Sequence, residues 1–276
     1  MKIAAEVDAL IRASIKEDLG REGDLTTRYF VPRDKKLYGR VVAKQRGIIS
    51  GVGVAKAIFI VRGCRVKVHL RDGSPAAPGR TVMEIWAGRE LLSLERTALN
   101  FLQRMSGVAT LTSLYVRAVR GTRAKIYDTR KTIPGWRLLD KYAVKCGGGQ
   151  NHRMGLYDAV LLKDNHWAAG MGVVAQVRKL RRDHPRTLVE LEAATLAQVE
   201  RALEARPDVV LLDNMDRATL KKAIRVIRAR SKAEIEISGG VSLETVGALA
   251  RLGPDRISVG RLTHSAPALD LSLEVE

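Results

Sequence analysis

Cysteine is almost absent from this 276-residue chain, which holds only Cys64 and Cys146. Two isolated thiols give no disulfide framework, and no zinc-ligand spacing accompanies them. They read as small buried residues, the usual setting of a free thiol. Aromatic side chains make up only 4%, so single-stranded nucleic acid would find few stacking platforms. Long hydrophobic runs are missing as well. The most apolar stretch, Ser50 to Val61, is short and interrupted by Lys56, which excludes a bilayer span. No signal-peptide core opens the chain. Instead Ile3, Val7, Leu10, Ile11 and Ile15 recur at helical spacing between Glu6, Asp8, Arg12, Lys16 and Glu17, the pattern of an amphipathic helix. A cytoplasmic protein without a membrane partner is therefore expected. Asparagine and glutamine are scarce beside abundant charge, which suggests a thermophilic source.

What is plentiful is positive charge: 48 Lys and Arg against 30 Asp and Glu, a net +18. Three readings compete. The charge could hold nucleic acid, line a cleft for a polyanionic small molecule, or sit as solvated decoration. The apolar fraction of 46% is enough for one large domain, or one large plus one small.

Two rhythms divide the chain. Up to about residue 108 the pattern is mixed. A turn-rich stretch, Gly20 to Thr27, follows the opening helix. Strand-like pieces come at Leu37 to Ala43, Gly47 to Ser50, Arg65 to His69 and Thr81 to Ala87, with helices at Val54 to Arg62 and Arg89 to Met105. This reads as a small α+β domain. From about 109 to 266, helical stretches alternate with short apolar runs starting at Lys125, Ala159, Thr187, Asp208, Ala233 and Asp255. Each interval suits one βα unit of a parallel sheet covered on both faces. A final strand near Asp270 to Val275 could rejoin the N-terminal domain, making 267–276 part of it.

Polar residues gather at the C-terminal end of each run: Thr129-Arg130-Lys131, Lys163-Asp164-Asn165-His166, Glu190 with Glu192, Asp213-Asn214, Ser238-Gly239-Gly240 and Gly260-Arg261. Active sites of α/β barrels lie at that face. A doubly wound open sheet is the alternative fold, but no G-x-G-x-x-G follows the first strand. Ser238-Gly239-Gly240 and Gly260 fall in the last two βα loops, where barrels commonly bind phosphate. Arg130, Lys131, His152, Arg153, Lys163 and Arg96 come from separate segments; a barrel would bring most of them together as a pocket for a substrate with several anionic groups. Glu192 and Asp213 could hold Mg²⁺ or simply partner the arginines, and the residues alone leave both readings open. His152 and His166 could act as general bases or be structural.

Asp128-Thr-Arg-Lys-Thr-Ile-Pro-Gly-Trp-Arg137, Lys141-Tyr-Ala-Val144, Gly147-Gly-Gly-Gln-Asn-His-Arg153 and Leu162-Lys-Asp-Asn-His166 resemble the quinolinate phosphoribosyltransferases. So do Glu95-Arg-Thr-Ala-Leu-Asn100, Glu190-Leu-Glu192, Leu212-Asp-Asn-Met215, Ile237-Ser-Gly-Gly-Val241, and the early Glu17-Asp-Leu-Gly20 with Asp24-Leu-Thr-Thr27. The ordered set spans the whole chain. The resemblance implies an α/β fold in two parts, an N-terminal open-faced α/β sandwich and a C-terminal incomplete, seven-stranded α/β barrel, whereas the residues alone mark six strands. It implies a homodimer or an assembly of dimers, with Arg96 reaching the partner's site. It also implies transfer of phosphoribosyl from phosphoribosyl pyrophosphate to quinolinate with loss of CO2, for NAD biosynthesis.

Carried over by motif, Arg130, His152, Arg153 and Lys163, with a partner's Arg96 and support from Thr129, would bind quinolinate. Lys131 would face phosphoribosyl pyrophosphate. Glu192 and Asp213 would hold Mg²⁺ and ribose hydroxyls, and Ser238, Gly239, Gly240 and Gly260 would cradle phosphate. Lys131, Lys163, Glu192 and Asp213 are the expected catalytic groups. A molybdenum-uptake-associated sister family and a nicotinate-using transferase are the near rivals. Lys163-Asp-Asn-His favours the quinolinate family over the first, and the number of cations over the second. A barrel aldolase with a Schiff-base lysine and a basic nucleic-acid-binding protein are the distant ones.

Overall fold

The computed structural model describes residues 4–163, 166 and 172–276. Ile3 of the opening motif and Asp164 and Asn165 of the lysine motif lie outside the described residues. Two compact units emerge. The first comprises Met1–Ser113, Thr132–Gly148 and Leu262–Glu276, and the second Leu114–Lys131 and Gly149–Arg261. Residues 132–148, which the sequence rhythm groups with the barrel, pack in the first unit.

That unit is built on an antiparallel sheet of four strands in the order β12-β1-β5-β3: β1 (Leu37–Ala43), β3 (Arg65–Val68), β5 (Thr81–Ala87) and β12 (Leu271–Val275). The C-terminal strand does return, pairing Val41 with Leu273. β2 (Gly47–Ile48) and β4 (Pro75–Ala76) form a separate two-residue ribbon. Period-2 alternation puts Met83 and Ile85 on one face, while Val82 is buried beside the register shift between Val41 and Val42. Ile58 and Phe59 of α3 (Val52–Ile60) and Ile11 of α1 (Ala5–Leu19) are buried as well. Helix α3 packs on β3, and α1 on α3. Across the sheet stand the Tyr38 and Trp86 rings, 5.4 Å apart, with the Arg65 guanidinium 4.3 Å over Trp86. Helix α3 on the sheet and α1 on α3 give this unit its α/β sandwich layering.

Short helix α2 (Leu25–Phe30) occupies the stretch read as a turn, because the Asp24 carboxylate accepts the Thr27 N–H at 2.8 Å and caps it. The long helix α4 (Glu90–Ala118) runs well past Met105. It passes through Gly107, where a Cβ would collide with the Pro267 carbonyl oxygen. Helix α5 (Arg137–Cys146) follows the Trp136 ring, which stacks 4.7 Å from Phe101.

The second unit is a six-stranded parallel sheet in the order β6-β11-β10-β9-β8-β7. Its strands are β6 (Lys125–Tyr127), β7 (Ala159–Leu162), β8 (Leu188–Ala193), β9 (Val209–Asp213), β10 (Glu234–Ser238) and β11 (Arg256–Ser258). Apolar side chains of β8 to β11 are buried, namely Val189, Leu191, Val209 to Leu212, Ile235, Ile237 and Ile257, whereas those of the edge strand β7 are only partly covered. Gln150 adds a parallel bridge to Tyr127 on the free edge of β6, through Asp128 N–H to Gln150 O and Gln150 N–H to Ile126 O. This one-residue pairing stands where a seventh strand would lie. Four helices follow strands: α6 (Val173–Asp183), α7 (Leu196–Glu204), α8 (Arg217–Arg230) and α9 (Leu243–Ala250), while α10 (Arg261–His264) follows β11. Side-chain caps start several of them: Thr195 with Gln198, Asp216 with Ala218 and Thr219, and Ser242 with Thr245.

Candidate active site

One cavity of the second unit, about 250 Å³, gathers residues from the C-terminal end of every strand: Thr129, Arg130, Lys131, His152, Arg153, Leu161, Lys163, Glu192, Leu211, Asp213, Glu236, Ser238 and Ser258. Nine of the residues expected from sequence therefore meet in one place. Leu161, Leu211, Glu236 and Ser258 also line it and were not singled out. The available signal for Glu236 was alternation. In Glu234-Ile-Glu-Ile-Ser238 the period of 2 sends Glu236 and Ser238 to the same side.

The wall beyond β6 is cationic. The Lys131 N–H donates to Thr129 Oγ1 at 3.0 Å, which tightens the turn after the strand. Arg130 Nε is buried without a hydrogen-bond partner among the described residues. Burial pulls the Arg153 guanidinium below its ordinary value, and the neighbouring Arg130 charge adds to the effect. Two guanidiniums that repel each other in a cavity form a site for an anion. Arg153 also donates to the Ala159 carbonyl at 3.1 Å, so its side chain is aimed. Lys163, at the end of β7, is half exposed and lies 3.0 Å from Glu192 Oε2. His166 is exposed, and its Nδ1 takes the Lys163 N–H at 3.1 Å.

The floor is acidic. Glu192 and Asp213 end adjacent strands β8 and β9. Deeper in, His152 Nε2 lies 3.0 Å from Glu190 Oε2 and 3.5 Å from Glu236 Oε1. Burial and the Glu236 charge push the Glu190 carboxyl up, while His152 opposes them. For His152 two observations conflict. Burial favours the neutral ring, but the two carboxylates outweigh it and raise the imidazole to about 10, which would make it an imidazolium. Yet the Arg153 N–H points at Nδ1 from 2.8 Å, and that contact needs a lone pair. The neutral ring with its proton on Nε2 satisfies both sides, and the fixed backbone geometry favours it.

Past β10, Asn214 N–H donates to the Ser238 carbonyl at 3.0 Å. Gly239 has φ +90°, and a Cβ there would stand 2.8 Å from the Asn214 nitrogen. Glycine is thus required for this close turn. Gly240 also has positive φ, at +59°. Gly260 follows β11. Arg96 stands elsewhere, on α4 in the first unit, exposed and 3.8 Å from Glu95.

The arrangement can therefore hold a multiply charged anion on its cationic wall, a divalent cation or hydroxyl groups on its acidic edge, and a phosphate in its glycine turn. Family models described as the C-terminal and N-terminal domains of quinolinate phosphoribosyl transferase match residues 108–274 and 24–106. The nicotinate-nucleotide pyrophosphorylase [carboxylating] of Mycobacterium leprae is 43% identical, over 96% of this chain and 95% of its own. A probable enzyme of that name from Bacillus subtilis is 38% identical, over 98% and 93%. The crystal structure of nicotinate-nucleotide pyrophosphorylase from Ehrlichia chaffeensis superposes with a TM-score of 0.93 at 35% identity, covering 100% of both chains. With both of its domains matched in order and relatives aligned along nearly the full length, the chain belongs to the quinolinate phosphoribosyltransferase family.

Proposed function

We propose that this protein transfers phosphoribosyl from phosphoribosyl pyrophosphate to quinolinate and releases CO2 and pyrophosphate, giving nicotinate mononucleotide for NAD biosynthesis. The cationic wall carries the reading: Arg130 and Arg153 close enough to perturb each other, with Lys131 and Lys163 in the same cavity. Quinolinate's adjacent carboxylates suit two guanidiniums and an ammonium better than a monocarboxylate would. Thr129 supports that wall and His152 closes its floor. A partner subunit's Arg96 would complete the wall in a homodimer, or in an assembly of dimers.

Lys131 faces the pyrophosphate side. Ser238, Gly239, Gly240 and Gly260 cradle the phosphate, with Gly239 kept side-chain-free by the Asn214 backbone. Glu192 and Asp213 offer hard oxygen ligands on neighbouring strand ends of one cavity, a donor set that fits Mg²⁺ shared with substrate phosphates. Bound there, Mg²⁺ would supply charge neutralisation for pyrophosphate. The ribose–pyrophosphate bond then breaks, with the electron pair leaving on pyrophosphate and positive charge growing on the ribose carbon. The pyridine nitrogen forms the new bond to that carbon. The quaternised ring next accepts the pair left when the adjacent carboxylate departs as CO2, and the ring carbon takes a proton. Positioning and electrostatics dominate, and no covalent enzyme intermediate is needed.

Residues 114–131 and 149–261 would form the catalytic barrel, and the remaining segments the sandwich unit. The described residues contain no helix long and apolar enough to cross a membrane. The enzyme would act in the cytoplasm on small molecules and not on nucleic acid. The substrate assignment is tested by exchanging quinolinate for nicotinate. Product from quinolinate alone supports it, and product from nicotinate alone moves the substrate to the monocarboxylate.

A further inference from the structure

Asp128 stands just past the end of β6 and is fully buried. Its Oδ1 accepts the His152 backbone N–H at 2.8 Å, and its own N–H donates to the Gln150 carbonyl at 3.1 Å. The Gln150 N–H in turn donates to the Ile126 carbonyl at 2.8 Å. One residue thus ties together the two segments that supply the cationic wall. Along its own chain Asp128 leads directly into Thr129-Arg130-Lys131, and its side chain grips the residue that precedes Arg153. Beyond Arg153 the loop closes on itself. Asp158 accepts the Met154 and Gly155 N–H groups at 2.7 and 2.9 Å, and the Arg153 side chain reaches the Ala159 carbonyl at 3.1 Å.

Electrostatics make such a tie necessary. Arg130 and Arg153 carry like charges close enough to perturb each other, and neither segment is helix or strand. Left to themselves, the two guanidiniums would move apart. A hydrogen bond from a backbone N–H to a carboxylate is among the stronger ones, and a shift of about 1 Å in a group that positions substrate can cost about 100-fold in rate. We propose that Asp128 is a positioning residue that holds the His152–Arg153 loop at a fixed spacing from Arg130, and so matches the wall to the two neighbouring carboxylates of quinolinate. Asp128 does not line the cavity, and it acts only through residues that do. Losing its side chain releases the loop but leaves Lys131 in place, because that turn is carried by β6 and braced by Thr129. The inference rests on the reading of this wall as the quinolinate site.

Steady-state constants and urea midpoints are measured for the unmodified enzyme, for Asp128→Ala, Asp128→Asn and Arg153→Ala, and for Asp128→Ala combined with Arg153→Ala. Asp128→Ala is expected to raise KM for quinolinate about tenfold, the scale of one lost hydrogen bond to a charged group. KM for phosphoribosyl pyrophosphate should stay within about twofold of the unmodified value. Asp128→Asn, which keeps an oxygen in the place of Oδ1, should recover most of the loss. With Arg153 already truncated, the Asp128→Ala penalty should shrink to less than about threefold, because the group it aims is gone. Equal rises in both KM values would overturn the proposal, as would a fall in kcat alone or a penalty undiminished by Arg153→Ala. Should Asp128→Ala fail to fold, Asp128→Leu, which fills the space without an acceptor, is read by the same criteria. Absence of quinolinate turnover by the unmodified enzyme would instead refute the proposed function, and that result is seen before any variant is read.

Discussion

Lys163 Nζ lies 3.0 Å from Glu192 Oε2. This ion pair joins the end of β7 to the end of β8, and it links a group assigned to quinolinate with one assigned to the metal and ribose. Removing the lysine deletes a cation from the pocket and takes one ionic partner from a carboxylate that is only 9% exposed. Lys163→Ala should therefore lower kcat/KM for quinolinate by roughly 100-fold, the range of one lost charge-assisted hydrogen bond. Initial rates under varied quinolinate check this, and an unchanged rate contradicts the assigned role.

Gly239 is held at φ +90° with its missing Cβ against the Asn214 backbone. Gly239→Ala should cost roughly 1–3 kcal/mol of stability. It should also raise KM for phosphoribosyl pyrophosphate more than KM for quinolinate, because the strain falls on the phosphate turn. Urea unfolding and a two-substrate kinetic grid measure the two effects. A larger change in the quinolinate constant would remove Gly239 from the phosphate site.

In the first unit the Arg104 guanidinium lies 3.3 Å from Asp140, whose side chain is wholly buried. Burial pushes the Asp140 carboxyl up and Arg104 pulls it back. Arg104 also donates to the carbonyls of Thr263 and Ala266. Arg104→Ala strands the carboxylate and should destabilise by about 3–5 kcal/mol, read from equilibrium unfolding. A loss below about 1 kcal/mol would mean that the pair is hydrated or relaxes freely.

Burial raises the Cys64 thiol to about 11, with the Glu90 charge adding to it, and burial raises Cys146 as well. The thiolate is the reactive form, so near pH 7.5 both residues should resist a disulfide reagent in the native protein. Both should react within seconds in denaturant. The sign follows from the shift. A folded pKa above the unfolded one stabilises the fold below the unfolded value, and that contribution fades as pH climbs toward 11. Rapid native labelling of Cys64 at neutral pH would contradict its burial.

Much of the barrel was legible because buried parallel strands are continuous apolar runs, and all six runs became strands within a residue or two of their expected ends. The site was legible for the related reason that each run stops at a polar cluster. The seventh position was not, since Gly147-Gly-Gly gives no apolar run and only Gln150 pairs there. Helix α2 was hidden because Asp24 to Thr27 is polar like a turn, and its meaning lies in the Asp24 cap. The acidic floor was half visible. Glu190 and Glu192 were noticed as strand-end residues, but the convergence of Glu190 and Glu236 on one imidazole depends on strand order, which a single sequence does not display.

The central claim is a carboxylating transfer chemistry, and its most direct test follows the carbon. Purified protein with Mg²⁺, phosphoribosyl pyrophosphate and quinolinate isotopically labelled in the carboxylate next to the ring nitrogen should release one labelled CO2 for each nicotinate mononucleotide formed. Mononucleotide that keeps the label, or no nucleotide from quinolinate at all, would contradict the account.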